Sequence, residues 1–354
     1  MTDEVLTRIE GAVGRITLNR PAALGALTTA MVEAMTQALL DWRGDAEVDA
    51  VLIDHAGERG FCAGGDIRFL RRSASQGGAA ARDFFFREYR LNHLLMVYDK
   101  PVIAIMDGVT MGGGVGVALP ARFRIATERT RLAMPETGIG LFPDVGAGWH
   151  LARLPGQSGL WMALTGARLG PADCLALGLA THVVESHKLE VLKAHILTTP
   201  NSLEAGLEPF LADPGPAPTA GRHTDIDRLF GGVSVEAIMA DLAADGSDFA
   251  LAQLAALKTK SPTTMKVALR QIAEGALMAS FADELVSEMR IAARMVMSAD
   301  FAEGVRAVIV DKDNAPRWDP STPEGVSDAM LDAIFAPLPA GEEWSPLPQL
   351  MVQP

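Results

Sequence analysis

Two glycine-rich runs and three acidic side chains are the parts of this chain equipped to do chemistry. The runs are Cys62-Ala63-Gly64-Gly65-Asp66-Ile67 and Thr110-Met111-Gly112-Gly113-Gly114, each after an apolar stretch that reads as a strand. Glycine lets the main chain approach a ligand closely. N–H groups at the start of a helix lack acceptors within it and favour negative charge. Two such groups converging on one oxygen would form an oxyanion hole for a carbonyl under attack. Each run alone serves equally well as a tight strand-to-helix turn.

The acids are Glu88, Glu136 and Asp144. Glu136, in Met134-Pro135-Glu136-Thr137, is either a reactive carboxylate or a first-turn acid favoured by the helix dipole. Asp144, in Leu141-Phe142-Pro143-Asp144-Val145-Gly146, is equally readable as an N-cap. Glu88 falls on a helix stripe with Phe84, Leu91 and Leu95, where a buried carboxylate needs a partner or a task. The competing stripe, Phe85, Tyr89, Asn92 and Met96, would leave it in solvent. Several other chemistries lose support. The spacing beyond Gly112, Gly114 and Gly116 fails G-x-G-x-x-G, and no P-loop, H-E-x-x-H or G-x-S-x-G occurs. The seven histidines match no catalytic pattern, and no metal or redox cofactor is implied.

The elements that must hold these parts alternate strand, glycine turn and helix. Val13 to Leu18, Val48 to His55, Pro101 to Met106, Arg122 to Thr127 and Arg131 to Met134 read as strands. Thr28 or Thr29 can cap a helix through Met31, Ala34, Leu39 and Trp42, and a second helix is expected around Asp83 to Tyr98. This order argues for an α/β fold with crossover units. Beyond about Val184 the strand signal fades, and residues 198–227 are rich in proline and glycine. From Val233 to Ala336 the pattern is mainly helical. The expected division is therefore a core over 1–197, a connection over 198–227 and a helical region over 228–354.

Composition narrows the partners. The chain has 354 residues, 31 Lys and Arg against 44 Asp and Glu, and a formal charge of −13. Such a chain gains no counterion-release affinity for nucleic acid. No apolar run approaches membrane-spanning length. Two lone cysteines and an acidic start without a signal core point to a reducing compartment, the cytoplasm.

In sequence order, NRPAALGALT, AGGDI, PVIAIMDGVTMGGGVG and MPETGIGLFPDVGAG resemble the enoyl-CoA hydratase/isomerase proteins, the crotonase superfamily. The likeness departs at Gly25, where the family usually carries Asn. It implies a crotonase-like spiral of β-β-α units with a helical C-terminal region. It also implies an acyl-CoA substrate whose thioester oxygen meets the N–H groups of Gly65 and Gly113. Backbone near Ala23 and Ala63 would lie along the coenzyme A moiety, with Gly64 and Asp66 also among the substrate-binding residues.

The carboxylates then choose a branch. Hydratases resemble G-G-G-x-E at the second run, whereas here Gly116 stands at the place of that Glu. Glycine cannot move a proton, so hydration by two glutamates is disfavoured. Glu136 matches the carboxylate shared across the superfamily. Asp144, Glu88 within FFFREYRLN, and the later Val310-Asp311-Lys312-Asp313 and Pro316-Arg317-Trp318 are similar to a thioester-hydrolase branch. The implied reaction is hydrolysis of a short-chain acyl-CoA, 3-hydroxyisobutyryl-CoA foremost, with Glu136 and Asp144 catalytic and Glu88 orienting the substrate. No cofactor beyond the substrate's own coenzyme A, no nucleic acid and no membrane enter this expectation, and a homo-oligomer is compatible with it. The alternatives are an isomerase or hydratase of the same superfamily, or a catalytically silent acyl-CoA-binding subunit.

Overall fold

Each advance of the chain lays down two strands in two different sheets. In the computed structural model, which describes residues 2–350, β1 (Val5–Glu10) and β2 (Val13–Leu18) form an antiparallel hairpin. Three strand pairs follow: β3 (Ala50–His55) with β4 (Gly60–Cys62), β5 (Val102–Met106) with β6 (Val109–Met111), and β7 (Phe123–Ala126) with β8 (Arg131–Ala133). The first strand of each pair joins a six-stranded sheet, ordered β1-β2-β3-β5-β7-β9, with β9 spanning His182–Val183. The second joins a three-stranded parallel sheet, β4-β6-β8.

The large sheet is covered on both faces, which explains its continuous apolar runs. Alternate residues divide between two cores: Ala50 and Leu52 with Ile103 and Ile105 on one side, Val51 and Ile53 with Ala104 and Met106 on the other. The helix Leu189–Thr198 closes the first side through Leu192 and Ile196. Residues 198–227 contain short helical turns, among them Leu203–Leu207, whose two leucines join that same core.

Helix α1 (Thr29–Arg43) starts where Thr28 accepts a hydrogen bond from the Met31 N–H. Helix α2 (Ile67–Ala74) leaves the first glycine run, and α3 (Ala79–Met96) follows two glycines at positive φ, Gly77 and Gly78. Helix α4 (Gly113–Ala118) leaves the second run. The C-terminal half supplies the helices Pro262–Gly275 and Phe281–Met295, and the second of these packs along α3.

The expected strands are present within one or two residues, but β1, β9 and the three-residue β4 and β6 were not anticipated. Both glycine runs follow these three-residue strands, not the longer ones before them. A strand of three residues is too short to display an alternation that periodicity can detect.

Candidate active site

Three neighbouring parallel strands end at one place, and each delivers part of a site. After β4 comes Ala63-Gly64-Gly65; after β6, Gly112-Gly113; after β8, Met134-Pro135-Glu136. Ligands in parallel α/β structures gather at such carboxyl ends.

The two glycine runs meet closely. A Cβ placed on Gly64 would lie 3.3 Å from the Gly113 nitrogen, and one on Gly113 would lie 3.4 Å from the Gly65 nitrogen. Leu27 donates to the Gly64 carbonyl at 2.8 Å and accepts from the Asp66 N–H at 3.0 Å, which passes over the Gly65 N–H between them. Gly113 is the first residue of α4, where an N–H has no partner within the helix. Gly64 and Gly112 adopt φ of +101° and +49°, so both turns need glycine for their backbone as well.

Glycine is also required by what stands opposite. A Cβ on Gly112 would come within 2.9 Å of Glu136 Oε1, and one on Gly113 would overlap Glu88 Oε1. Two carboxyl groups thus close on the second run from β8 and from α3. Asp144 completes the set, accepting from the Tyr89 hydroxyl at 2.9 Å. Glu88, Glu136 and Asp144 are 2%, 5% and 4% exposed, so all three are carboxyls taken out of water. Glu88 Oε1 and Glu136 Oε2 have no hydrogen-bond partner within the protein among the described residues.

Burial governs their proton affinity. It pushes the Glu136 carboxyl well above its ordinary range, the Asp144 charge adds to the rise, and the ammonium of Lys260 opposes it. Glu88 is raised by burial and then by the charges of Asp144 and Glu136. Asp144 is lifted to about 7 by burial, against the pull of the Tyr89 hydroxyl and its own N–H. Buried carboxyls with raised proton affinity beside paired glycine turns are groups suited to acid–base chemistry.

The chain belongs to the enoyl-CoA hydratase/isomerase family. That family's model matches residues 13–335. The chain is 46% identical to the mitochondrial 3-hydroxyisobutyryl-CoA hydrolase of Danio rerio over 95% of its own length and 90% of that protein's. Identity to the Homo sapiens protein of the same name is 40%, over 95% and 89%. A solved carnitinyl-CoA dehydratase of Mycobacterium thermoresistibile superposes with a TM-score of 0.93 at 40% identity, covering 97% of this chain and 99% of that one. An enoyl-CoA hydratase structure from Rhodobacter sphaeroides 2.4.1 gives 0.91 at 40% identity, covering 97% and 100%. The β-β-α spiral with its helical C-terminal region is therefore the fold of this family member.

The remaining expected residues fall into three groups. Ala23 and Ala63 lie on adjacent segments, with the Ala63 N–H donating to the Leu24 carbonyl at 2.9 Å. Gly64 belongs to the first turn itself. The Asp66 carboxylate is already engaged, capping α2 through the Phe69 N–H at 3.2 Å and pairing with Arg20 at 3.1 Å. What that position offers a ligand is main chain. Gly25 stays at φ +69° with its N–H bonded to the Arg20 carbonyl, and a side chain there would overlap the Phe61 carbonyl.

Both candidate stripes of α3 turn out to be buried. Phe84, Glu88, Leu91 and Leu95 are covered, as are Phe85, Tyr89 and Asn92, because α1, α2, α4 and the helix Phe281–Met295 pack against α3. The two stripes do not compete: Tyr89, the Asp144 partner, lies on one and Glu88 on the other.

Asp144 does not cap the helix after it. That helix, α5 (Ala147–Leu151), has Gly146 at its N-cap. Val145 between them sits at φ +58°, an outlier for a β-branched residue that costs about 1–3 kcal/mol. Its side chain occupies the space where one on Gly116 would begin, with Asn92 Nδ2 alongside at 2.9 Å. The position at which hydratases resemble G-G-G-x-E is thus filled by the turn carrying Asp144.

Proposed function

We propose that this protein hydrolyses a short-chain acyl-CoA thioester, with 3-hydroxyisobutyryl-CoA as the leading substrate. The observation that carries the reading is the pairing of Gly116 with Val145. It takes the place of a second hydratase-type carboxylate and brings Asp144 to the Tyr89 side of the glycine turns. The names of the relatives at 40–46% identity support the same conclusion.

In this mechanism the N–H groups of Gly65 and Gly113 hold the thioester oxygen and the negative charge it gains under attack. One donor of this kind is worth about 3–4 kcal/mol in the transition state. Glu136 takes a proton from water as the water oxygen bonds to the carbonyl carbon. When the carbon–sulfur bond breaks, that proton passes to sulfur, leaving a carboxylic acid and coenzyme A. Glu88 and Asp144 orient the acyl hydroxyl and the attacking water, Asp144 with its proton in part retained at neutral pH. Lys260 helps Glu136 keep its charge. A covalent variant, with Glu136 attacking to form an anhydride that water opens, uses the same atoms.

The two buried free cysteines, Cys62 and Cys174, support a reducing compartment, and we assign the cytoplasm. The curated relatives are named as mitochondrial. No helix among the described residues is long and apolar enough to cross a membrane.

Hydration is the second reading, favoured by the names of the two solved structures. One paired assay separates them: free thiol released from 3-hydroxyisobutyryl-CoA, and loss of enoyl absorbance with crotonyl-CoA. Thiol release at a rate far above any absorbance change is expected. Efficient hydration without thiol release would overturn the proposal.

A further inference from the structure

The turn that presents Asp144 is held from behind by side chains outside the site. Gln271, on the helix Pro262–Gly275, donates through Nε2 to the Pro143 carbonyl at 2.9 Å and to Glu288 Oε1 at 3.0 Å. Glu288, on the helix Phe281–Met295, accepts the Gly146 N–H through Oε2 at 2.7 Å. The carbonyl immediately before Asp144 and the N–H two residues after it are therefore tied to one linked pair. Glu284, one turn earlier, accepts from the same Gln271 amide at 3.4 Å. All three side chains are buried, at 2%, 0% and 0% exposure.

Helix packing alone does not call for this arrangement. Apolar side chains of similar volume hold buried helices at least as well as acids, which lose their hydration. What the trio adds is direction, and it adds it to a turn that backbone preference opposes. Val145 at φ +58° and Gly146 at φ +88° keep their conformation only where the surroundings over-determine it. The surroundings here are Gly116 and Asn92 on one side and Gln271 with Glu288 on the other.

We propose that Glu288 and Gln271 are positioning residues for the hydrolysis, fixing the 143–146 turn so that the Asp144 carboxyl meets Tyr89 and the reacting centre. The C-terminal helices thereby take part in the chemistry through a residue of the core. This inference rests on the hydrolase reading and on the part given to Asp144 within it. A purely structural role would change stability and leave each folded molecule as active as before.

The test uses the full-length chain and thiol release from 3-hydroxyisobutyryl-CoA, with kcat, KM and melting temperature on each preparation. Glu288→Leu is expected to lower kcat by about tenfold or more with KM changed less than about threefold, since small misplacement of a reacting group is costly. Glu288→Gln, whose amide oxygen can still accept the Gly146 N–H, is expected to recover most of that loss. The double variant Glu288→Leu with Asp144→Asn should fall at most about twofold below the more impaired of the two single variants, because both remove one function. Wild-type kcat in folded Glu288→Leu, or losses that simply multiply in the double variant, would overturn the inference. If Glu288→Leu does not fold, Gln271→Leu carries the same test, and wild-type kcat there would also overturn it. Absence of thiol release by the wild type is a separate result, which removes the hydrolase reading itself.

Discussion

Glu136 and Asp144 end up around the same glycine turns but are held there in opposite ways. Glu136 follows directly from β8, three residues past the strand, in a short 3₁₀ turn that starts after Pro135. The parallel pairing of β8 with β6 fixes its place relative to Gly112 and Gly113. Asp144 stands on no strand or helix. It precedes a valine in a left-handed conformation, and its direction comes from Tyr89, Gly116, Gln271 and Glu288, which lie on α3, α4 and two C-terminal helices. A carboxyl placed by a sheet is located by its own strand and that strand's partner; one placed by a turn depends on side chains from several helices.

The largest effect should come from the sheet-held acid. Glu136→Gln is expected to lower thiol release by about 10²–10⁴-fold, the usual range for losing a general base. Its melting temperature should stay level or rise, because an amide replaces a buried carboxyl that resists ionisation. A folded Glu136→Gln protein with near wild-type turnover would remove Glu136 from the mechanism.

Asp144→Asn should cost less, about 10–100-fold, since the amide oxygen still accepts the Tyr89 hydroxyl and the turn keeps its shape. This variant also has a signature in pH. The Asp144 carboxyl binds its proton more tightly folded, at about 7, than unfolded, near 4. Its stabilising contribution is therefore complete below about pH 4 and is lost as pH rises through 7. Wild-type melting temperature should decline across that window, and Asp144→Asn should decline less. Equal slopes for the two proteins, measured from pH 4 to 8, would place the titration elsewhere.

The smallest effect tests the contact that brings the turn in. Gly116→Ala puts a methyl group where the Val145 side chain lies, an overpacking that costs about 1–3 kcal/mol of stability. Pairing it with Val145→Gly, which suits φ +58° and removes the obstructing side chain, should return part of that stability in denaturant titration. If Gly116→Ala is as stable as wild type, the turn is not seated against α4 as described.

How much could be read in advance follows the same division. The strand β3, the helix α1 with its Thr28 cap and the two glycine runs were legible because their signals are local: apolar periodicity, a capping hydroxyl, a string of glycines. Glu136 was legible through its motif. Glu88 was ambiguous because α3 buries a face wide enough to hold both stripes and exposes only residues such as Asp83 and Arg87, so periodicity has no single stripe to find. Gln271, Glu284 and Glu288 gave no local sign, since polar residues at helical spacing look like a solvated face until something covers them, and Lys260 in the turn between two helices gave none either.

By itself the chain determined the order of strands, turns and helices and the chemical types available at the turns. Backbone propensity and side-chain periodicity act over a few residues, and those preferences survive in any fold the chain adopts. Only the tertiary structure decided that β4, β6 and β8 end side by side, that Gly65 and Gly113 face one another, and that Glu288 braces a turn 142 residues before it. Burial is likewise a property of the whole assembly. The raised proton affinity of Glu88, Glu136 and Asp144 comes from the removal of water by elements distant in sequence.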